Sequence, residues 1–415
     1  MNTILKTINL QLFAVQTTEL NSTGNDLSPE MKTYYDMNLI RAAGPNLVHA
    51  QFAQKRTIPP GGGKTVEFRR FSHLPKAMQP LTEGVTPAGN KLDVQKVTAT
   101  VKQYGDYITQ SDVLELTAID NTIREAALIL GDQAGRTLDA VIRNALQAGT
   151  NVSYASKWDG TTETVVEDRS ELDATATLHV SDVFNVATKL RAANAPTIDG
   201  DYVAIIHPYV AGDLMRDPEW IEVHKYAAPD NIYTGEIGKI AGVRFVATSE
   251  AKIYRGEDLG ASTYALTVAS FSTKTITVTE TMATGRLKSG DHIYVGANYY
   301  TVDSVSESGK TITIKETPTT APKAGDKVYP GEGAPNGLSV FGCLFLGKDA
   351  YGDTEVEGGG LETIVKQKGS AGSADPLNQR SSIGWKGLKT AEILLPEYLV
   401  RLECVSKSNP NAAGN

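Results

Sequence analysis

The sequence predicts an α+β protein that carries a small all-β section, on three observations. Apolar residues at Ile119, Ile123, Ala126, Ala127, Leu130, Ala134, Leu138, Val141, Ala145 and Leu146 recur at three-and-four spacing, which lines one face of a single long helix. Between residues 181 and 254 helix patterns alternate with short apolar runs, the mark of strands covered on both faces in an α/β layer. Further on, KTITVTET from Lys274 is answered by KTITIKET from Lys310, and LKSGDHIYVG at 287–296 by PKAGDKVYPG at 322–331. This internal repeat of alternating Thr, Val and Ile with Gly-Asp turns predicts a small barrel or sandwich built from two related halves.

At 415 residues the chain has room for roughly two or three domains, and its hydrophobic and charged fractions are those of a folded protein. A net charge of −8 argues against a wide electrostatic grip on nucleic acid. Cys343 and Cys404 stand far apart, which suggests buried thiols and neither a zinc pattern nor a disulfide framework. In the opening MNTILKTINLQLFAVQ, Lys6, Asn9 and Gln11 interrupt the apolar residues and no small-residue cleavage site follows, so a docking arm is the better reading than a signal peptide. No stretch approaches a membrane span.

In chain order, residues 1–55 read as this arm followed by a short helix over Pro29–Ala43. Residues 56–108 read as an extended loop. Thr65–Phe71 alternates as one strand and Leu92–Val101 as another, with a Pro- and Gly-punctuated connection between them. Two strands with so few large apolar residues are marginal alone and should lean on a partner. Residues 109–180 hold the long helix, capped near Thr117 or Asp120 and ended by Gly149, about 45 Å in length. The stretch after it suggests strands at Glu163–Val166 and Thr175–Val180. Ser181 is placed to cap a helix through Val183, Val186 and Leu190, closed by Pro196. Tyr202–Ile206 is a buried strand, His207 and Pro208 open the next helix, and Gly242–Thr248 is another strand. After the repeat section at 255–335, Leu338–Leu346 resumes as a buried strand around Cys343, and Asp353–Gly360 reads as an acidic loop. Residues 366–415 supply an extended segment at Leu388–Leu395, a strand at Leu399–Val405 and a disordered tail from Ser406.

Several motifs invite chemistry and fail on inspection. GGGKT lacks a glycine at Ile58 and runs into a strand where a phosphate loop needs a helix. His207 has no second histidine or cysteine at ligand spacing, so capping or packing is its expected role. Ser339 in GLSVFG meets Phe341 where a nucleophile elbow has glycine. No enzyme, cofactor or metal site is expected.

IPPGGGKTVEFRRF, PLTEGVTP and QYGDYITQSDVLEL running into the long helix together resemble the major capsid proteins of tailed bacteriophages. DYVAIIHPYVAGDLMRDPEW at 201–220 and GWKGLKTAEILLPEYLVRLE at 384–403 are similar to later stations of that family. The order and spacing of these segments carry the resemblance more than any one of them does. It implies the phage major-capsid fold: amino-terminal arm, extended β-hairpin loop, spine helix, and peripheral and axial α/β domains. On this scheme the axial domain spans 181–254 and resumes at 336–365, with 255–335 as an inserted β domain.

The function implied is self-assembly, as hexamers and pentamers, into an icosahedral-type shell around the double-stranded DNA of a tailed phage. Scaffolding and portal proteins, a decoration protein and weakly held DNA are the implied partners, with assembly in the host cytoplasm. Arg56, Lys64, Arg69, Arg70 and Glu83 on the loop are the candidates for contact between subunits. An encapsulin-like compartment shell is the alternative on the same fold, and a sugar-binding surface protein the alternative suggested by the β section.

Overall fold

The computed structural model describes residues 47–59, 63–71, 94–112, 122–160, 162–227, 237–356, 360–368 and 376–415, with isolated positions between them. The expected arm and first helix, the helix caps Thr117 and Asp120, and Glu83 lie outside the described residues. The described chain divides into two compact units, one formed by Leu47 with 102–138 and 356–389, the other by 48–101, 139–355 and 390–415. The long helix, Thr122–Gln147, and the long strand, Arg380–Ile393, each contribute residues to both.

In the first unit, Lys102–Ser111 pairs antiparallel with the long strand from Arg380↔Ser111 to Lys389↔Lys102, and Glu362–Lys366 pairs along its other edge. Ala126, Ala127, Leu130, Ala134 and Leu138 of the helix pack on Ile383 and Trp385 of that strand. Small residues on the helix let its backbone come close to the sheet, which explains why Gly131 and Gly135 are also buried there. Gln133 ties the layers: its amide nitrogen donates to Asp106 at 2.6 Å and its carbonyl accepts from the Trp385 indole at 3.3 Å. The strand at Lys102–Ser111 is an addition to the sequence reading, because Gly105 and Asp106 break its alternation. Gly105 is required, since a Cβ there would fall 2.6 Å from the Trp385 carbonyl oxygen.

The second unit is organised on a sheet ordered Val152–Tyr154, Leu399–Cys404, Val340–Leu346, Tyr202–Ile206, Val243–Ala247 and Lys239–Ile240, with Ile253–Tyr254 beside Val340–Leu346. Every residue of Tyr202–Ile206 and of Val340–Leu346 is buried. Val243–Ala247 lies parallel to Tyr202–Ile206 after a crossover through the helices Pro208–Leu214 and Pro218–Ala227. Gln147, near the helix end, donates to the Gly342 carbonyl at 2.9 Å, and a side chain at Gly342 would strike it. Buried Asp139 accepts from the His49 backbone at 2.7 Å and lies 2.6 Å from its ring Nδ1.

Strands Leu266–Ser272, Thr275–Val278, Thr311–Ile314, Asn298–Val305, His292–Val295 and Lys327–Pro330 close into a barrel in that order. The repeats face each other: Ile276 pairs with Ile312 and Tyr294 with Tyr329 across an approximate two-fold. Matching devices recur in each half. Glu280 accepts from the Thr267 backbone at 2.7 Å and Glu316 from that of Thr301 at 2.8 Å, beside bulges at Val268/Ser270 and Val302/Ser304. Among the described residues, the barrel's core, from Leu259 to Val328, draws only on its own segment.

Four expectations need correcting. Thr175–Val180 forms no strand beyond a bridge from Thr177 to Val405. The following helix starts at Val180 with His179, and not Ser181, as its N-cap, because Asp182 reaches back to accept from the His179 backbone at 3.1 Å. Within 353–360 the acidic loop gives way to the strand Tyr351–Val356, whose Asp353 and Thr354 are buried against Ala391 and Thr390. The tail from Ser406 is ordered: Asp213 accepts from Ser406, Lys407 and Ser408, and Ser339 donates to the carbonyl of Ala412 at 2.7 Å.

Candidate inter-subunit surface

Thr65–Phe71 and Val94–Thr100 form a hairpin stem in register from Thr65↔Thr100 to Phe71↔Val94. Strand alternation sends Val66, Phe68, Val97 and Ala99 to one face, where they pack on Leu394. Phe68 and Ala99 are fully covered, and Gly352 is bare so that the Phe68 ring can lie on it; a Cβ there would stand 2.5 Å from the ring. The partner that this stem leans on is therefore the chain's own body, because these four side chains and Leu394 suffice to cover its inner face.

The other face is charged and exposed. Glu67 lies 3.4 Å from Lys96 and 3.9 Å from Arg69, and Arg69 stands directly across from Lys96. Like charges opposed on a ladder repel, and a single carboxylate between them offsets only part of this. The outward face of the two-stranded stem thus keeps an excess of positive charge. Lys64 is exposed at the base, where its carbonyl accepts from Val101 at 2.9 Å. Arg56, in the strand Gln54–Ile58, has its guanidinium 5.4 Å from the Phe68 ring and donates to the Glu67 carbonyl at 3.4 Å. It braces the stem from within the subunit. Arg70 pairs through its backbone with Gln95. The structure thus gathers Arg56, Lys64 and Arg69 around one stem.

The residues that invited chemistry have other roles. His207 caps the helix Pro208–Leu214, its Nδ1 accepting from the Tyr209 backbone at 3.2 Å, and packs 5.4 Å from the Phe341 ring. Burial pushes its pKa below the usual 6.5. Gly63 and Lys64 lead directly into a strand. Cys343 and Cys404 are buried free thiols 3.8 Å apart on neighbouring strands. Among the described residues no cluster of three His, Cys, Asp or Glu is placed to hold a metal, and no helix is long and apolar enough to cross a membrane. Sequence reasoning missed the Asp106–Gln133–Trp385 bridge, for which spacing offers no signal, since its members lie far apart along the chain.

The long helix thus contributes to both units, the hairpin presents a charged face, and the barrel has a core of its own. Residues 95–387, well over half of the chain, match the family model described as phage capsid protein; the chain belongs to that family. It is accordingly a major capsid protein, a structural component of the virion that self-assembles into multimeric shells. No curated protein sequence matches the chain. Among solved structures it is similar to the capsid of cyanophage P-SCSP1u (14% identity, 86% of this chain and 87% of that one, TM-score 0.52). It is also similar to the capsid of Ralstonia phage GP4 (14%, 87% and 89%, TM-score 0.50). A third likeness is to the capsid of Helicobacter pylori bacteriophage KHP30 (10%, 98% and 99%, TM-score 0.51). At these identities the likeness speaks for the fold.

Proposed function

We propose that the chain, as hexamers and pentamers, builds the icosahedral shell around the double-stranded DNA of a tailed phage, and performs no catalysis. The observation that carries the reading is the hairpin stem: one face is fixed to its own body by Phe68 and Leu394, while Arg69, Lys96 and Glu67 point away from it. Each contact between copies is modest, and a closed shell multiplies it until weak pairs hold a stable container. The loop at 56–101 crosses an adjacent subunit, the core around Tyr202–Thr248 meets its counterparts at capsomer centres, and the amino-terminal arm reaches a neighbour. Residues 255–335 are an insert in this body. Scaffolding and portal proteins guide assembly in the host cytoplasm, and a decoration protein can add to the finished shell. A net charge of −8 suits weak, non-specific contact with packaged DNA.

Lys64, Arg69, Arg70 and Glu83, all within the loop's sequence, are assigned to pairing with charges of the next subunit. The reversals Arg69→Glu and Arg70→Glu should leave a soluble, folded chain that yields no shells in electron micrographs. Shells at normal yield from that double variant would sink the assignment.

A further inference from the structure

A cleft of about 520 Å³ opens beside the barrel, walled by residues 256, 257 and 259, residues 286, 287 and 290–292, Tyr299, Pro330–Glu332 and Arg169. Its volume falls in the range of small-molecule sites, roughly 300–1,000 Å³. The floor is rigid because backbone meets backbone there: the Gly331 amide donates to the His292 carbonyl at 2.9 Å, and a Cβ on Gly331 would fall 2.6 Å from that group. Gly256, at φ +81°, lies so close to Pro330 that a Cβ would approach its ring to 2.5 Å. Such a site is formed before any ligand arrives, which spares the cost of ordering it.

One wall is aromatic. Tyr299 stacks on His292 with ring centroids 4.8 Å apart and planes at 25°, and the buried Tyr294 ring stands 5.0 Å from it. Tyr299 nevertheless remains 42% exposed. The barrel itself does not require this stack. In the other half of the repeat the position of His292 is Lys327, which donates to the Thr267 hydroxyl at 2.6 Å. The aromatic wall is thus a departure from the internal symmetry, at the place where the cleft opens.

The opposite walls are polar. Arg286 pairs with Glu257, and Arg169 is held by Glu403 and donates to the Glu332 carbonyl at 2.9 Å. Glu403 is shared with Arg401, so the lining sets the two guanidinium groups against the carboxylates of Glu257, Asp291 and Glu332, and this slight negative excess disfavours phosphate or carboxylate ligands. What fits is a neutral molecule with an apolar C–H face for the ring of Tyr299 and hydroxyl donors at its rim for Glu257, Asp291 and Glu332. The electron-rich face of an aromatic ring attracts weakly positive C–H groups, and planar carboxylates accept from adjacent hydroxyls. That combination is a pyranose ring.

We propose that this cleft binds a neutral saccharide through Tyr299, Glu257 and Glu332, a function separate from building the shell. The test uses the full-length chain, unassembled, on an array of neutral mono- to tetrasaccharides of glucose, galactose, rhamnose and N-acetylglucosamine, followed by saturation-transfer NMR on any that is retained. At least one should bind, Tyr299→Ala should weaken it about tenfold, and Tyr299→Phe should keep it, with both variants melting as the parent does. Retention of no neutral sugar, or undiminished binding by Tyr299→Ala, would overturn the proposal. So would binding of spermidine in preference to every sugar with loss on Glu332→Gln, which would make the cleft a cation site.

Discussion

His207 shows how a residue suggestive of chemistry can serve structure, and its environment gives a measurable pH dependence. Desolvation between Phe341 and the helix it caps holds its folded pKa below 6.5. The unfolded chain therefore binds the proton more readily, so the stabilisation is complete above pH 6.5 and is lost as pH falls through the lower, folded pKa. Asparagine caps a helix without titrating there. The variant His207→Asn should flatten the fall of melting temperature just below pH 6.5; a slope equal to the parent's would rule this source out. At the hairpin base, Phe68→Ala removes a covered ring and should cost about 3–5 kcal/mol in urea unfolding if the stem unfolds with its unit. Gly352→Ala attacks the same contact from the other side, driving a methyl into the ring, for about 1–3 kcal/mol. The two losses should not add, because both remove one contact.

At the level of elements, the approximate two-fold of the barrel makes its own prediction. Ile276 and Ile312 are fully buried and paired with each other, so Ile276→Ala and Ile312→Ala should destabilise alike, by about 2–5 kcal/mol each, measured in thermal melts. A marked inequality would mean that one half alone sustains the core. The repeat was legible because identical residues recur in KTIT and GD, the long helix because its three-and-four apolar spacing is sustained, and Tyr202–Ile206 because its apolar run is uninterrupted. Lys102–Ser111 was not legible as a strand, since its alternation is interrupted at Gly105, a residue demanded by a strand nearly 300 positions away. The tail after Ser406 looks polar and unstructured, yet Asp213 and Ser339 order it through hydrogen bonds that no local pattern encodes. For the candidate site, alternation revealed the hairpin and its charged residues. That Arg56 braces the stem and that Leu394 covers its inner face depend on tertiary contacts.

For the whole molecule, the join between barrel and sheet decides whether 255–335 behaves as an insert. The chain leaves the sheet at Ile253–Tyr254 and returns at Val340–Phe341, and those residues are already antiparallel partners, Ile253↔Phe341 and Tyr254↔Val340. Entry and exit are therefore one strand spacing apart, and a tight turn could close them. Replacing Gly256–Leu338 by Asn-Gly leaves Arg255 and Ser339 flanking a two-residue loop of the type that hairpins favour. The tail still holds both flanks, since Arg255 donates to the Asn411 carbonyl at 2.7 Å and Ser339 to that of Ala412. The excised segment takes its whole core with it, while the sheet loses mainly Ala334 and Leu338 from the cluster around Leu172 and Val405. Both pieces should consequently fold: residues 255–335 as a barrel with dispersed amide resonances, and the closed body as a soluble chain with one cooperative melt that still forms shells in electron micrographs. If the body aggregates and the barrel is unfolded, the two share stability and the segment is an integral part of the body. If both fold but no shell appears, the barrel belongs to the assembly contacts, and the charged hairpin face is insufficient without it.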